Sequence, residues 1–276
     1  ESTSSDVSRQ VANAHTIFNV IIALMFLPFV TQYSKFIRKL LPDDKNEKVL
    51  GALFLNRTLI TASRAAAVDA VRKEMIRLGI SSLRMIEACR TMFLADNEKL
   101  VAEIDRMERN VNEITHDIVR YGTEVGQAGL SSDLSMILNS CISGVADIER
   151  IGDHATNLVE MYQFLQDHKL KFSPKALEEC KEMFDLVVSA VAKSVQALEE
   201  ENPKIAQEVL DLEDRIDYME KTLRARHIAR LNAGGCSPDA GVIFIDILSN
   251  LERVGDHAHN IAMVVFDIER MHSHGE

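Results

Sequence analysis

Glutamate and aspartate stand four residues apart at Glu149 and Asp153, and again at Glu252 and Asp256. That spacing puts both carboxylates on one face of a helix, and Asn157 and Asn260 extend the two strips by one more step. Like charges in line cost about a few tenths of a kcal/mol on an exposed helix and more in a buried one. A strip used twice therefore calls for a compensating partner, and a bound cation is one. Glu108 with Asn112 and Glu213 with Asp217 show the same spacing on the preceding helices, so the four strips offer seven carboxylates and one amide. Hard or borderline cations such as Mg, Mn, Fe or Zn suit such donors. The plain alternative is a set of solvated faces, or ion pairs with Arg109, Arg150, Arg215 and Arg253. A single strip reads that way; repetition favours metal.

The elements that must carry these residues are helices. The 276 residues are 46% hydrophobic and 26% charged, with five Pro, no Trp and 5% aromatics, which is a helical rather than a sheet composition. A net charge of -11 repels a phosphate backbone, so nucleic acid is not an expected partner. About six amphipathic helices follow from the punctuation and periodicity. Ser173 with Pro174, Asn202 with Pro203, and Ser237 with Pro238 each place a capping side chain before a proline at the first helical position. Leu100, Ile104, Met107, Val111, Ile114, Ile118 and Tyr121 form one bundle stripe, and Ile205, Val209, Leu212, Ile216, Met219 and Leu223 another.

An internal repeat organises these helices. Residues 149–157 and 252–260 agree at seven of nine positions, and Glu108 and Asn112 are answered by Glu213 and Asp217. The unit is three helices present twice, over residues 62–169 and 170–276. Gly152 and Gly255 sit mid-helix, where glycine costs about 1 kcal/mol against alanine, so a close helix approach is the expected compensation. His154 and His257 point about 100° away from the adjacent aspartates. They read as packing groups or as groups supporting the ligands.

Residues 1–40 read differently. Between Thr16 and Tyr33 runs an uncharged apolar stretch, at the short end of what spans a bilayer. Asn19 and Pro28 are easier to accommodate if other membrane helices surround it, which suggests a missing upstream bundle. Lys35, Arg38 and Lys39 then place everything after about residue 35 in the cytoplasm, with residues 41–61 as a linker. A buried core helix is the alternative for this stretch. Cys89, Cys141, Cys180 and Cys236 are far apart and fit buried thiols of a reducing compartment.

The pattern E-R-[IV]-G-D-H-A-x-N after an E-x-x-x-D helix resembles the signature of PhoU-like domains. Ahead of it, Ala12, Asn13, Ala14, His15, Thr16, Ile17, Phe18, Asn19 and Val20 look like the start of the final membrane helix of bacterial sodium-dependent phosphate (Na/Pi) cotransporters. The resemblance implies an all-α chain, one transmembrane helix followed by two PhoU-like three-helix bundles. It implies the C-terminal part of a sodium:inorganic phosphate symporter at the inner membrane, with a cytoplasmic metal-binding domain regulating phosphate uptake. Phosphate and sodium would be partners through the upstream membrane domain, beside membrane lipid and either a second copy or phosphate-signalling proteins. It assigns metal binding to Glu149, Asp153, Glu213, Asp217, Glu252 and Asp256; Glu108 also matches, while Asn112 departs from the acidic pattern.

Other classes remain to be weighed. A membrane-anchored or soluble PhoU-like regulator or adaptor, without transport activity of its own, is the alternative function. A ferritin-like di-metal oxidase needs two equivalent Glu-x-x-His pairs, and Glu113 with His116 and Glu269 with His272 are not equivalent under the repeat. No triad, P-loop or dinucleotide glycine pattern occurs, so an enzyme is not expected.

Overall fold

The computed structural model describes residues 13, 15–21, 25, 51–234 and 236–274. The chain divides into two compact units, Glu1–Val49 and Leu50–Glu276. In the first, residues 15–21 are helical, with Ile17, Phe18, Val20 and Ile21 exposed. The remainder of the proposed membrane stretch, apart from Met25, lies outside the described residues, as do residues 41–50 of the proposed linker. Among the described residues no helix is long and apolar enough to cross a membrane. The expected transmembrane helix over residues 16–33 thus falls largely outside the described residues.

The second unit is all helix. A short α1 (Arg57–Ala62) precedes six long helices: α2 (Arg64–Ala95), α3 (Lys99–Gln127), α4 (Ser132–Asp167), α5 (Pro174–Glu200), α6 (Pro203–Asn232) and α7 (Pro238–His274). Their starts follow the expected chemistry. Ser63, Ser131 and Ser173 each accept a first-turn N–H, and Asn202 accepts that of Lys204. Pro174, Pro203 and Pro238 are the first residues of α5, α6 and α7. Asp96 and Glu201 end α2 and α5 in the left-handed conformation.

Helices α2, α3 and α4 pack on one another, as do α5, α6 and α7, and the two bundles meet through α4 on α7 and α2 on α5. One continuous apolar core runs through both. From the two stripes, Ile104, Val111, Ile114 and Ile118 of α3 and Val209, Leu212, Ile216 and Leu223 of α6 are buried in it.

Residues 51–61, which composition assigns to a linker, dock on the first bundle. Leu55, Leu59 and Ile60 pack against its core, and the Tyr121 hydroxyl donates to the carbonyl of Asn56 at 2.9 Å. Glu74 of α2, 0% exposed, accepts the backbone N–H groups of Leu53 and Phe54 at 3.1 and 3.0 Å and is ion-paired with Arg77. A buried carboxylate is tolerated because it is both ion-paired and hydrogen-bonded. That anchor depends on tertiary contact and has no signature in the linker's own composition.

Candidate metal centre

In the second bundle the acidic strips of α6 and α7 converge. Glu213, Asp217 and Asp256 each present a carboxylate oxygen, and these oxygens lie within 4.8 Å of one another. The packing beneath explains the convergence. Gly255 lets α7 approach α6 so closely that a Cβ there would stand 3.1 Å from both Cδ1 and Cγ2 of Ile216. Since Gly255 precedes Asp256 and Ile216 precedes Asp217, the close approach carries the two aspartates together.

Crowded carboxylates raise the cost of holding charge. Glu252, one turn before Asp256, has its carboxyl pushed up by burial first and then by Asp256, Asp217 and Glu220. Asp256 is pushed up by burial and by Asp217. Partial compensation comes from Lys221, 3.1 Å from Asp217, and from His259, 3.4 Å from Glu213. The Lys221 side chain is mostly exposed and free to swing away. A donor set of clustered carboxylate oxygens whose repulsion is only partly offset fits a hard or borderline cation. Glu213, Asp217 and Asp256, with Glu252 beside them, would hold it; the ion would supply positive charge that joins α6 to α7.

The equivalent positions of the first bundle are arranged otherwise. Asn112 donates to the Glu108 carboxylate at 2.5 Å, and Arg150 donates to Asp153 at 3.1 Å. Glu149 stands half-buried one turn before Asp153. No comparable trio of acidic, histidine or cysteine ligand atoms forms around them among the described residues. Gly152 faces Val111 at an ordinary 3.6 Å, where the second bundle has the closer Gly255–Ile216 contact. Of the eight expected site residues, the structure thus gathers Glu213, Asp217 and Asp256 with Glu252 adjacent. It ties Glu108 to Asn112 and Asp153 to Arg150.

Residues between the strips complete the picture. His154 Nδ1–H donates to Asn250 Oδ1 at 2.9 Å, and His257 Nδ1–H to the Asp147 carboxylate at 2.8 Å. Asn157 and Asn260 donate to the same two oxygens at 3.2 and 3.0 Å. Asp147 and Asn250 each precede their own helix's histidine by seven residues, a correspondence visible in the repeat, yet their exchange across α4 and α7 appears only in the fold. Glu220, which contributes to the field on Glu252, lies outside the repeated motif. Glu113 and His116, half of the oxidase alternative, are exposed.

The sequence pattern of the PhoU domain matches this chain twice, over residues 75–161 and 180–265. A relative from Thermotoga maritima, the phosphate-specific transport system accessory protein PhoU homolog 1, is 34% identical over 167 residues, covering 60% of this chain and 68% of the relative. The corresponding homolog from Pseudomonas putida is 27% identical over 213 residues, covering 74% and 80%. Among solved structures, PhoU from Pseudomonas aeruginosa superposes with a TM-score of 0.70 at 20% identity, covering 75% of this chain and 98% of that one. The phosphate transport system regulatory protein PhoU from Streptococcus pneumoniae gives 0.66 at 19% identity, covering 75% and 97%.

These findings correct two expectations. The relatives are named for accessory and regulatory roles and match the helical unit, which the symporter reading treated as an appendage to a transport path. Sodium:phosphate symport is overturned in favour of the regulatory alternative. Placement in the inner membrane rested on the symporter reading and falls with it; among the described residues no helix is long and apolar enough to cross a membrane. Sodium and membrane lipid are partners only of that corrected reading.

Proposed function

The chain belongs to the PhoU domain family, and on that premise we propose that it is a regulator or adaptor of phosphate signalling without transport activity of its own. The observation that carries this reading is the double match of the PhoU pattern, which covers both three-helix bundles. The work of such a protein is binding rather than turnover: no nucleophile, base and orienting group are gathered in the sequence, and the conspicuous chemistry is a cluster of carboxylates.

The acidic centre of the second bundle is the metal site in this proposal. Glu213 and Asp217 of α6 and Asp256 of α7 hold a divalent or trivalent ion, with Mg, Mn, Fe and Zn as candidates, and Glu252 orients or shares in binding. Protein partners of the phosphate-signalling machinery read the bundle surface, whose α6–α7 side the ion stiffens.

The test is genetic and biochemical together. Disrupting the encoding gene in its host should release a phosphate-responsive reporter from repression in phosphate-rich medium, and the chain alone in sealed vesicles should accumulate no labelled phosphate. An unchanged reporter would overturn the regulatory role. Sodium-driven accumulation would overturn the absence of transport.

A further inference from the structure

Away from the acidic centre, burial leaves several polar side-chain atoms of the described residues without a hydrogen-bond partner, among them His227 Nε2 and the neighbouring Arg230 Nε. His227 of α6 is 2% exposed, and its ring stacks on Phe244 of α7 with centroids 4.6 Å apart. Its Nδ1 lies 3.2 Å from a guanidinium nitrogen of Arg230. A guanidinium only donates, so Nδ1 is the bare nitrogen and the proton sits on Nε2. That Nε2–H is buried and has no hydrogen-bond partner. Native proteins rarely leave such a donor unused.

The Nε2 edge is turned to Gly241, where a Cβ would stand 2.9 Å from it, and both residues line a cavity of about 200 Å³. Lys171, Ser173, Ser237 and Ala240 form other walls. Ser173 caps α5, and Ser237 immediately precedes α7, so two long helices begin at the same cavity. A helix N-terminus presents unsatisfied N–H groups and a partial positive charge. Lys171 adds a full one. The charge of Arg230 is taken up by Glu179, at 2.9 and 2.5 Å, and no carboxylate lines the cavity; Asp239, in the first turn of α7, is exposed and outside its walls.

We propose that this cavity binds a small oxyanion, phosphate as the free ion or as a compact monoester, with Lys171 neutralising its charge and His227 Nε2–H donating to it. Lys171, His227 and the starts of α5 and α7 bring donors and positive potential to its walls, and helix N-termini are established anion-binding features. Gly241, without a Cβ, makes room for His227 Nε2 and the Leu231 methyl groups, which would stand 2.9–3.0 Å from one. The site is separate from the carboxylate cluster and does not rest on metal binding.

The test uses the full chain, treated with chelator so that no cation at the acidic centre can hold phosphate. Inorganic phosphate and, in a parallel arm, glycerol phosphate are titrated by calorimetry at constant ionic strength, against Lys171→Ala and His227→Phe. The phenylalanine keeps a ring on Phe244 while removing the donor, and should it unfold the chain by circular dichroism, the exposed Lys171 carries the test. Saturable binding of either probe, weakened tenfold or more in the folded variants, is expected, and the two arms tell free ion from monoester. No saturable binding of either probe, or unchanged affinity in Lys171→Ala, would overturn the proposal.

Discussion

His154 and His257 stack ring on ring where α4 meets α7, their centroids 5.5 Å apart and their planes 28° from parallel. Each is held from the opposite helix, His154 by Asn250 and His257 by Asp147, so the paired copies of the motif also clasp the two bundles together.

Replacing Asp147 by Ala strips His257 and Asn260 of their shared acceptor. A charged acceptor lost at a largely buried junction costs about 1–3 kcal/mol. Urea unfolding should show that loss, and Asp147→Asn should recover part of it by keeping an acceptor oxygen.

The two motif glycines should respond oppositely to alanine. At Gly152 a Cβ meets Val111 at 3.6 Å, an ordinary contact, so Gly152→Ala should be neutral or gain up to about 1 kcal/mol from helix propensity. At Gly255 the Cβ would press on the branched Ile216 at 3.1 Å, and overpacking there should cost about 1–3 kcal/mol. Equal responses in chemical denaturation would show that the bundles approach equally closely.

Metal loading should be as unequal as the strips. Reconstitution with Mn, Fe, Zn or Mg followed by elemental analysis should find metal in the parent and in the Glu149→Gln, Asp153→Asn variant, and little in the Asp217→Asn, Asp256→Asn variant. Loss from the first-bundle variant alone would reverse the assignment to Glu213, Asp217 and Asp256.

Burial, with Arg230 next in weight, holds the His227 imidazolium below its ordinary pKa of about 6.5. Below that pH the unfolded chain takes up a proton that the folded chain refuses. The contribution of this group is therefore present in full above about 6.5 and declines as pH falls below it. Unfolding free energies from pH 7.5 to 5 should fall more steeply for the parent than for His227→Phe.

Glu179 is buried and paired with Arg230 across α5 and α6. Arg230→Met should destabilise by about 3–5 kcal/mol because it leaves a buried carboxylate uncompensated. Adding Glu179→Leu should restore most of that loss, and thermal melts of the single and double variants would measure the coupling.

Much of the fold was legible along the chain because the signals are local. The stripes through Ile104, Val111 and Ile118 and through Val209, Ile216 and Leu223 mark buried helix faces. Ser173–Pro174, Asn202–Pro203 and Ser237–Pro238 mark helix starts, because each satisfies backbone donors within one turn. Self-similarity of residues 149–157 and 252–260 was enough to reveal paired three-helix units. The apolar stretch from Thr16 led composition to a membrane helix and with it a transporter; the relatives point to a regulator, and most of that stretch lies outside the described residues.

The sequence by itself determined which residues could face one another within a helix, since 3.6 residues per turn fix that relation without any neighbour. Only the tertiary structure decided which strips meet. Glu149 and Asp153 share the four-residue step of Glu252 and Asp256, and Glu108 and Asn112 that of Glu213 and Asp217, but Arg150 and Asn112 engage the first set while the close Gly255–Ile216 approach gathers the second. The depth of the Gly255–Ile216 contact and the edge of His227 turned to Gly241 depend on atoms of another helix, and such contacts leave no period in the sequence.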